Sequence, residues 1–183
     1  MSAAGMGLSS YGALVESVRS RRRAARVLKG ADQSAAIAAL RIRHRRSRIA
    51  ELLRWADEID AMAPEIRGYA DRKLNDEVRS MRASFMLGRA DDGAVRRALA
   101  LVREVASRET GEEAYPVQLA GALALIYSRI AEMVTGEGKT LTGSIAVPLI
   151  AWRWKHVHVL TVNDYLAERD AESRACIYTR CGL

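Results

Sequence analysis

The segment AEMVTGEGKT at residues 131–140 constrains this chain more tightly than any other, because a short apolar run there enters a glycine-bracketed loop ending in Gly-Lys-Thr. Gly136 and Gly138 would let bare backbone N–H groups approach a polyphosphate where any Cβ would collide. Lys139 has the reach for β- and γ-phosphates, and Thr140 puts a hydroxyl where a phosphate-bound Mg²⁺ would sit. A helix over roughly 140–151 would aim its positive N-terminal end at the same anion. Thr135, Gly136, Glu137, Gly138, Lys139 and Thr140 are therefore the candidate nucleotide site, with Thr140 the candidate group on the metal side.

Only the second half of the general pattern G-x-x-x-x-G-K-[ST] is standard here, since Met133 stands where the first glycine would be. A plain polar turn between two elements is the competing account of Gly-Glu-Gly-Lys. The flanks favour the cradle. Residues 129–133 read as a strand, the stretch after Lys139 as a helix, and 157–162 as a second strand, the order that a parallel crossover requires. The expected fold class is α/β: a helical N-terminal region followed by the start of an incomplete parallel sheet.

The strings IAEMVTGEGKTLT and VHVLTVNDYLAERDAE resemble the first nucleotide-binding domain of SecA, the motor ATPase of bacterial preprotein export. The likeness reaches back through PVQL at 116–119 and, more weakly, to LNDEVRSMRASF at 74–85, ALALVREVASR at 98–108 and IDAMAPEI from Ile59. It implies a P-loop NTPase domain of the DEAD-type helicase kind, ATP and Mg²⁺ as cofactors, and Gln118 as the adenine-reading glutamine. A glutamine amide donates and accepts at once, which matches the N6 donor and N7 acceptor of adenine. For the whole family protein the resemblance implies ATP hydrolysis that drives preproteins through the Sec membrane channel at an anionic lipid surface. It also implies a cytoplasmic location with peripheral attachment to the inner (plasma) membrane.

The chain departs from the family pattern after the loop. Pro148 lies inside the post-loop helix, two positions later than the family's proline, and the usual Thr-Gly-Lys-Gly turn has become Trp152-Arg153-Trp154-Lys155-His156. Losing both glycines removes the easy left-handed helix cap. The two tryptophans call for burial or a partner.

Hydrolysis needs, besides the cradle, an acidic residue at the end of another buried strand to hold Mg²⁺ and activate water. The resemblance assigns that role to a later Asp-Glu pair, and no apolar run ending in Asp-Glu occurs in this sequence. No catalytic residue is assigned. The chain is expected to be an N-terminal motor fragment truncated at Leu183, binding nucleotide weakly and turning over negligibly when alone. Two other readings stay open: a different P-loop, helicase-like protein acting on RNA, and a truncated non-catalytic protein that binds a membrane or partner. TVNDYLAERDA favours SecA over the helicases.

With 183 residues, 49% of them apolar, the chain can bury an ordinary core. No apolar run is long enough for a membrane-spanning helix, and the opening residues lack the apolar block of a secretory signal. Cys176 and Cys181 read as reduced thiols. His156 and His158 alternate with valines at strand spacing, His44 sits among arginines, and no third and fourth ligand completes a metal site. The net charge of +7 is concentrated early, with Arg21, Arg22, Arg23, Arg41, Arg43, Arg45, Arg46 and Arg48 against only Glu16 and Asp32 in residues 1–50. A basic arm, 1–45, would be drawn to anionic lipid at about 1 kcal/mol per residue near the surface, or would be a solvated face. Few aromatics accompany the arginines, so nucleic acid is a poor partner.

Residues 46–183 form the expected partial nucleotide-binding domain, helical over 46–128 and loop-bearing over 129–183. Ile49, Leu52, Leu53, Ala56 and Ile59 recur at helical spacing, and Pro64 interrupts them. Leu74, Val78, Met81 and Phe85 define a second helix over 71–86, GRADDG a turn, and Val95, Leu99, Val102, Val105 and Ala106 a third helix ending near Gly111. Pro116 suits the first turn of the next helix. Asn163 can cap a last helix from Asp164, with Tyr165 and Leu166 on its buried side.

Overall fold

The computed structural model describes residues 49–183 together with Ser34; the basic arm, with His44, lies outside the described residues. The helices are α1 (Ile49–Ala61), α2 (Ala63–Arg67), α3 (Asp71–Met86), α4 (Asp92–Thr110), α5 (Pro116–Ile126), α6 (Lys139–Trp154) and α7 (Asp164–Arg180). They pack around α4, which touches α1, α2, α3, α6 and α7. That position explains why α4 is buried almost all round, from Val95 through Leu99, Leu101 and Val102 to Val105 and Ala106. Each fully buried Leu or Ile of this kind contributes about 1.5–3 kcal/mol relative to exposure.

The helix boundaries follow local chemistry. Asp91 caps α4 by accepting from the Ala94 N–H at 2.7 Å, and Gly111 closes it at φ +74° with its N–H on the Ser107 carbonyl. Pro116 occupies the first turn of α5, where its missing N–H costs nothing. Helix α5 ends in a Schellman arrangement: Ser128 takes φ +58°, its N–H reaches the Leu125 carbonyl, and the Arg129 N–H reaches the Ala124 carbonyl. Pro148 is buried within an unbroken α6. Asn163 caps α7, its Oδ1 accepting from the Leu166 N–H at 2.9 Å.

Three expectations are corrected. The described residues contain no strand, so the α/β class with an incomplete parallel sheet does not hold. Residues 129–134 and 156–161 run without helix or ladder, and Ile130, Val134, Val159, Leu160 and Val162 are exposed. A parallel pair gains stability only from flanking strands and from layers covering both faces, and two short segments provide neither. Secondly, Tyr165 is 71% exposed and Leu166 only half-buried; the buried residues of α7, Arg174 and Ile177, lie in its second half. Thirdly, Ile49 and Leu53 are exposed, and Trp55 joins Leu52, Ala56 and Ile59 in the core face of α1, stacked at a tilt on Tyr127.

The C-terminal half of α7 is tied down by charge. The Asp71 carboxylate accepts from Arg180 and, at 2.9 Å, from Arg108, and Arg180 also reaches Glu109 at 2.7 Å and Asn75 at 2.9 Å. The hydrogen bond from Arg180, followed by that from Arg108, holds the Asp71 carboxyl below the usual aspartate range. Glu65 is held low in the same way by Arg97 and then Tyr69. Behind this network the indole of Trp152 donates to the Cys181 carbonyl at 3.0 Å and meets Phe85 edge-on. Burial pushes the Cys181 thiol up to about 12, and neither Cys181 nor Cys176 is in a disulfide.

Asp71 and Glu65 are depressed in the folded state, so their stabilisation is complete above their unfolded values near 4 and is lost as pH falls through the folded ones. Denaturant midpoints should stay level from neutrality to about pH 5 and drop below pH 4. Asp71→Asn should start lower at pH 7 and show a shallower acid drop; an unchanged acid limb would exclude Asp71 from the linkage.

The end of α6, where the sequence offers no glycine, still turns through a positive φ. Lys155 adopts φ +67° and returns its N–H to the Ala151 carbonyl at 2.7 Å, closing α6 as a glycine would. A left-handed lysine costs about 1–2 kcal/mol, part of which glycine would give back through a more disordered unfolded chain. Lys155→Gly is expected to raise stability by about 0.5–1 kcal/mol in urea denaturation. A loss of stability would show that the lysine side chain outweighs its backbone strain.

Candidate functional site: the 134–140 loop

The loop is positioned by the close approach of α5 and α6. A Cβ built on Gly121 would lie 3.0 Å from Thr142 Cγ2 and 3.3 Å from Met133 Sδ, so the bare glycine lets the two helices meet. The methionine that replaces the first glycine of the general pattern is therefore the residue tucked into this contact. Gly121 was the site-supporting residue that the motif did not point to. A glycine inside an apolar helical run was its one signal.

From Val134 the chain turns sharply. The Glu137 N–H donates to the Val134 carbonyl at 3.2 Å, and Gly136, third of the four residues, has φ +94°, the pattern of a type II turn that only glycine accommodates easily. Gly138 follows at φ +74°, ψ +41° and forms the N-cap of α6, with no side-chain cap hydrogen bond. The first intrahelical bond runs from the Thr142 N–H to the Gly138 carbonyl. Lys139, Thr140 and Leu141 thus have N–H groups without intrahelical acceptors, the arrangement that receives anions at a helix start.

Lys139 is exposed, and its amine donates to the Val134 carbonyl at 2.9 Å. Thr140 is half-buried, its carbonyl accepting from the Ser144 hydroxyl at 2.6 Å. Thr135, Gly136 and Glu137 are exposed. Gln118 comes from the first turn of α5 and lies against the loop. Its Oε1 accepts from the Tyr115 N–H at 2.9 Å and its Nε2 donates to the Glu137 carbonyl at 2.9 Å. All seven residues singled out in the sequence therefore meet at the facing ends of two helices.

The residues fit a phosphate. Two left-handed glycines, an uncapped helix start and a primary amine supply donors where side chains would otherwise obstruct. For a metal the donor set is thin: the Thr140 hydroxyl is present, but among the described residues no three His, Cys, Asp or Glu side chains gather as a metal site. His156 and His158 are both exposed in the segment after α6. Among the described residues no helix is long and apolar enough to cross a membrane.

The family model described as the SecA DEAD-like domain matches residues 38–183, most of the chain and all of this site. The chain belongs to the SecA family. The protein translocase subunit SecA of Gluconobacter oxydans (strain 621H) is 42% identical over 130 residues, covering 71% of this chain and 14% of that protein. The SecA subunits of Halothermothrix orenii and Pelotomaculum thermopropionicum are each 44% identical, over 69% and 74% of this chain and 15% of each relative. The chain thus spans about one seventh of the length of these SecA relatives.

Two glycines at the start of this SECA-type loop and helix should behave oppositely. In Gly138→Ala the positive φ costs about 1–2 kcal/mol, and the new Cβ would lie 2.2 Å from Gln118 Nε2, displacing that side chain. Gly143, inside α6, has nothing within 4 Å of a built Cβ, so Gly143→Ala should gain about 1 kcal/mol of helix propensity. Thermal unfolding should shift down for the first and up for the second. A shared rise would contradict the backbone geometry assigned to Gly138, and a shared fall the open space at Gly143.

Proposed function

We propose that this SecA-family chain grips the phosphates of ATP with its 135–140 loop, as part of a motor that moves preproteins. The observation that carries the reading is the uncapped start of α6, preceded by two left-handed glycines and flanked by Lys139. In the bound form the free N–H groups of the first helical turn face the phosphates. Lys139 leaves the Val134 carbonyl and pairs with a phosphate oxygen, a swap that its flexible stem permits at little cost. The Thr140 hydroxyl is the group on this chain that would meet a phosphate-bound Mg²⁺, which supplies charge neutralisation. Gln118 retains one amide hydrogen and one lone pair beyond its two internal bonds, enough for one donor and one acceptor contact with adenine.

Within a whole SecA-type translocase, ATP turnover would be coupled to passage of preproteins through the Sec channel, with the basic arm drawn to anionic lipid at the cytoplasmic face of the inner membrane. Neither step is assigned to a residue of this chain beyond nucleotide binding. Calorimetry with ATP and Mg²⁺ tests the reading. Loss of a charge-assisted contact worth about 1.5–3 kcal/mol should weaken binding about ten- to hundredfold in Lys139→Ala. Absence of binding by the folded wild-type chain up to millimolar ATP, or equal binding by both proteins, would overturn it.

A further inference from the structure

Both ends of the Gln118 amide are engaged inside the protein, and these partners give it a role beyond contact with a base. The side chain is 8% exposed and spans two elements. One end accepts from the Tyr115 N–H, the other donates to the Glu137 carbonyl, nineteen residues along the chain. Turning the amide over would set oxygen against the carbonyl and NH₂ against the N–H, so both partners fix its orientation.

Glu137 sits between the two glycines with positive φ, at the point where the loop has the least conformational restraint of its own. Within the loop, the backbone bond from the Glu137 N–H and the Lys139 amine both converge on the Val134 carbonyl. Neither restrains the Glu137 carbonyl. Gln118 does, and the absence of a side chain on Gly138 makes room for it, since a Cβ there would overlap Nε2. In a planar trans peptide the carbonyl and the following N–H point in opposite directions. Holding the Glu137 carbonyl toward α5 therefore turns the Gly138 N–H to the other side of the loop.

We propose that Gln118 is a positioning residue that sets the donor geometry of the phosphate loop through the Glu137 carbonyl, independently of any base. The proposal rests on the nucleotide-binding reading for its purpose, though the restraint itself belongs to the free protein. Gln118→Glu keeps the acceptor for the Tyr115 N–H and replaces the donor with an oxygen that repels the Glu137 carbonyl; Gln118→Ala removes both bonds.

Two measurements on the full chain decide it. Hydrogen exchange of the Glu137 amide, which is bonded to the Val134 carbonyl in the free protein, should accelerate about three- to tenfold in both variants, the worth of one intramolecular hydrogen bond, while α5 amides stay unchanged in Gln118→Glu. Affinity for tripolyphosphate, which has no base, should fall by about the same three- to tenfold, and affinity for ATP by at least as much. Unchanged loop exchange overturns the proposal, and so does a loss for ATP alone, which would mark a base contact only. If the wild-type chain binds neither ligand, the nucleotide reading fails, and the exchange data still decide whether Gln118 restrains the loop.

Discussion

The contact of α5 with α6 at Gly121 is the constraint on which the candidate site depends. Because no Cβ stands there, Thr142 and Met133 pack directly on the α5 backbone, and the start of α6 comes beside the start of α5. Gln118 can then reach the Glu137 carbonyl from the first turn of one helix to the loop that begins the other. The same approach places Leu119, Leu123, Leu141 and Ile145 in one apolar layer, so the energy that holds the loop in place is mostly burial. One hydrogen bond fine-tunes what the helix packing has already located.

Charge plays a different part in the bundle. Arg103 and Arg174 are both buried, the first bonded to Asp60 at 2.7 Å and Glu113 at 3.3 Å, the second to Glu112 at 3.0 Å, and each retains a buried Nε without a partner among the described residues. Such pairs gain little net stability, since desolvation offsets most of their attraction. Their carboxylates sit in α1 and in the 112–113 loop ahead of Pro116. They therefore fix where the entry to α5 lies relative to α4 and α7, which hydrophobic burial alone would leave loose. Tyr127 adds a similar tie at the other end of α5, where burial and then its bond to Asp92 at 2.7 Å raise its hydroxyl pKa.

Helical periodicity made most of this legible in the sequence. The apolar spacing of 74–85 and 95–106, the caps at Gly111 and Asn163 and the proline opening α5 all coincide with the structure, because each depends on neighbours within a turn or two. The glycines of the loop were legible for the same reason. What failed was non-local. The strands expected over 129–133 and 157–162 rested on local pattern, but ladder formation depends on partners that local pattern does not supply. Tyr165 was misplaced similarly: a cap fixes where α7 begins, not whether anything packs on its first turns. Lys155 shows the converse, since a positive-φ helix end forms there without the residue type that would have announced it.

The absence of a ladder makes side-chain anchoring decisive for the path into the loop. Ala131 and Met133 are half-buried while Ile130, Glu132 and Val134 are exposed, so side chains alternate in burial without strand pairing. Ala131 packs against the core, and the Met133 sulfur lies where a Cβ on Gly121 would come within 3.3 Å. The unbranched, polarizable side chain of Met133 suits an irregular gap of this kind better than a β-branched residue would. A glycine at 133, as the general phosphate-loop pattern prescribes, would remove that anchor. The departure from the pattern and the helical mounting of the loop thus have one cause: in this chain the approach to the cradle is secured from the α5–α6 side, by a methionine before it, a glutamine at its middle and a threonine just beyond it.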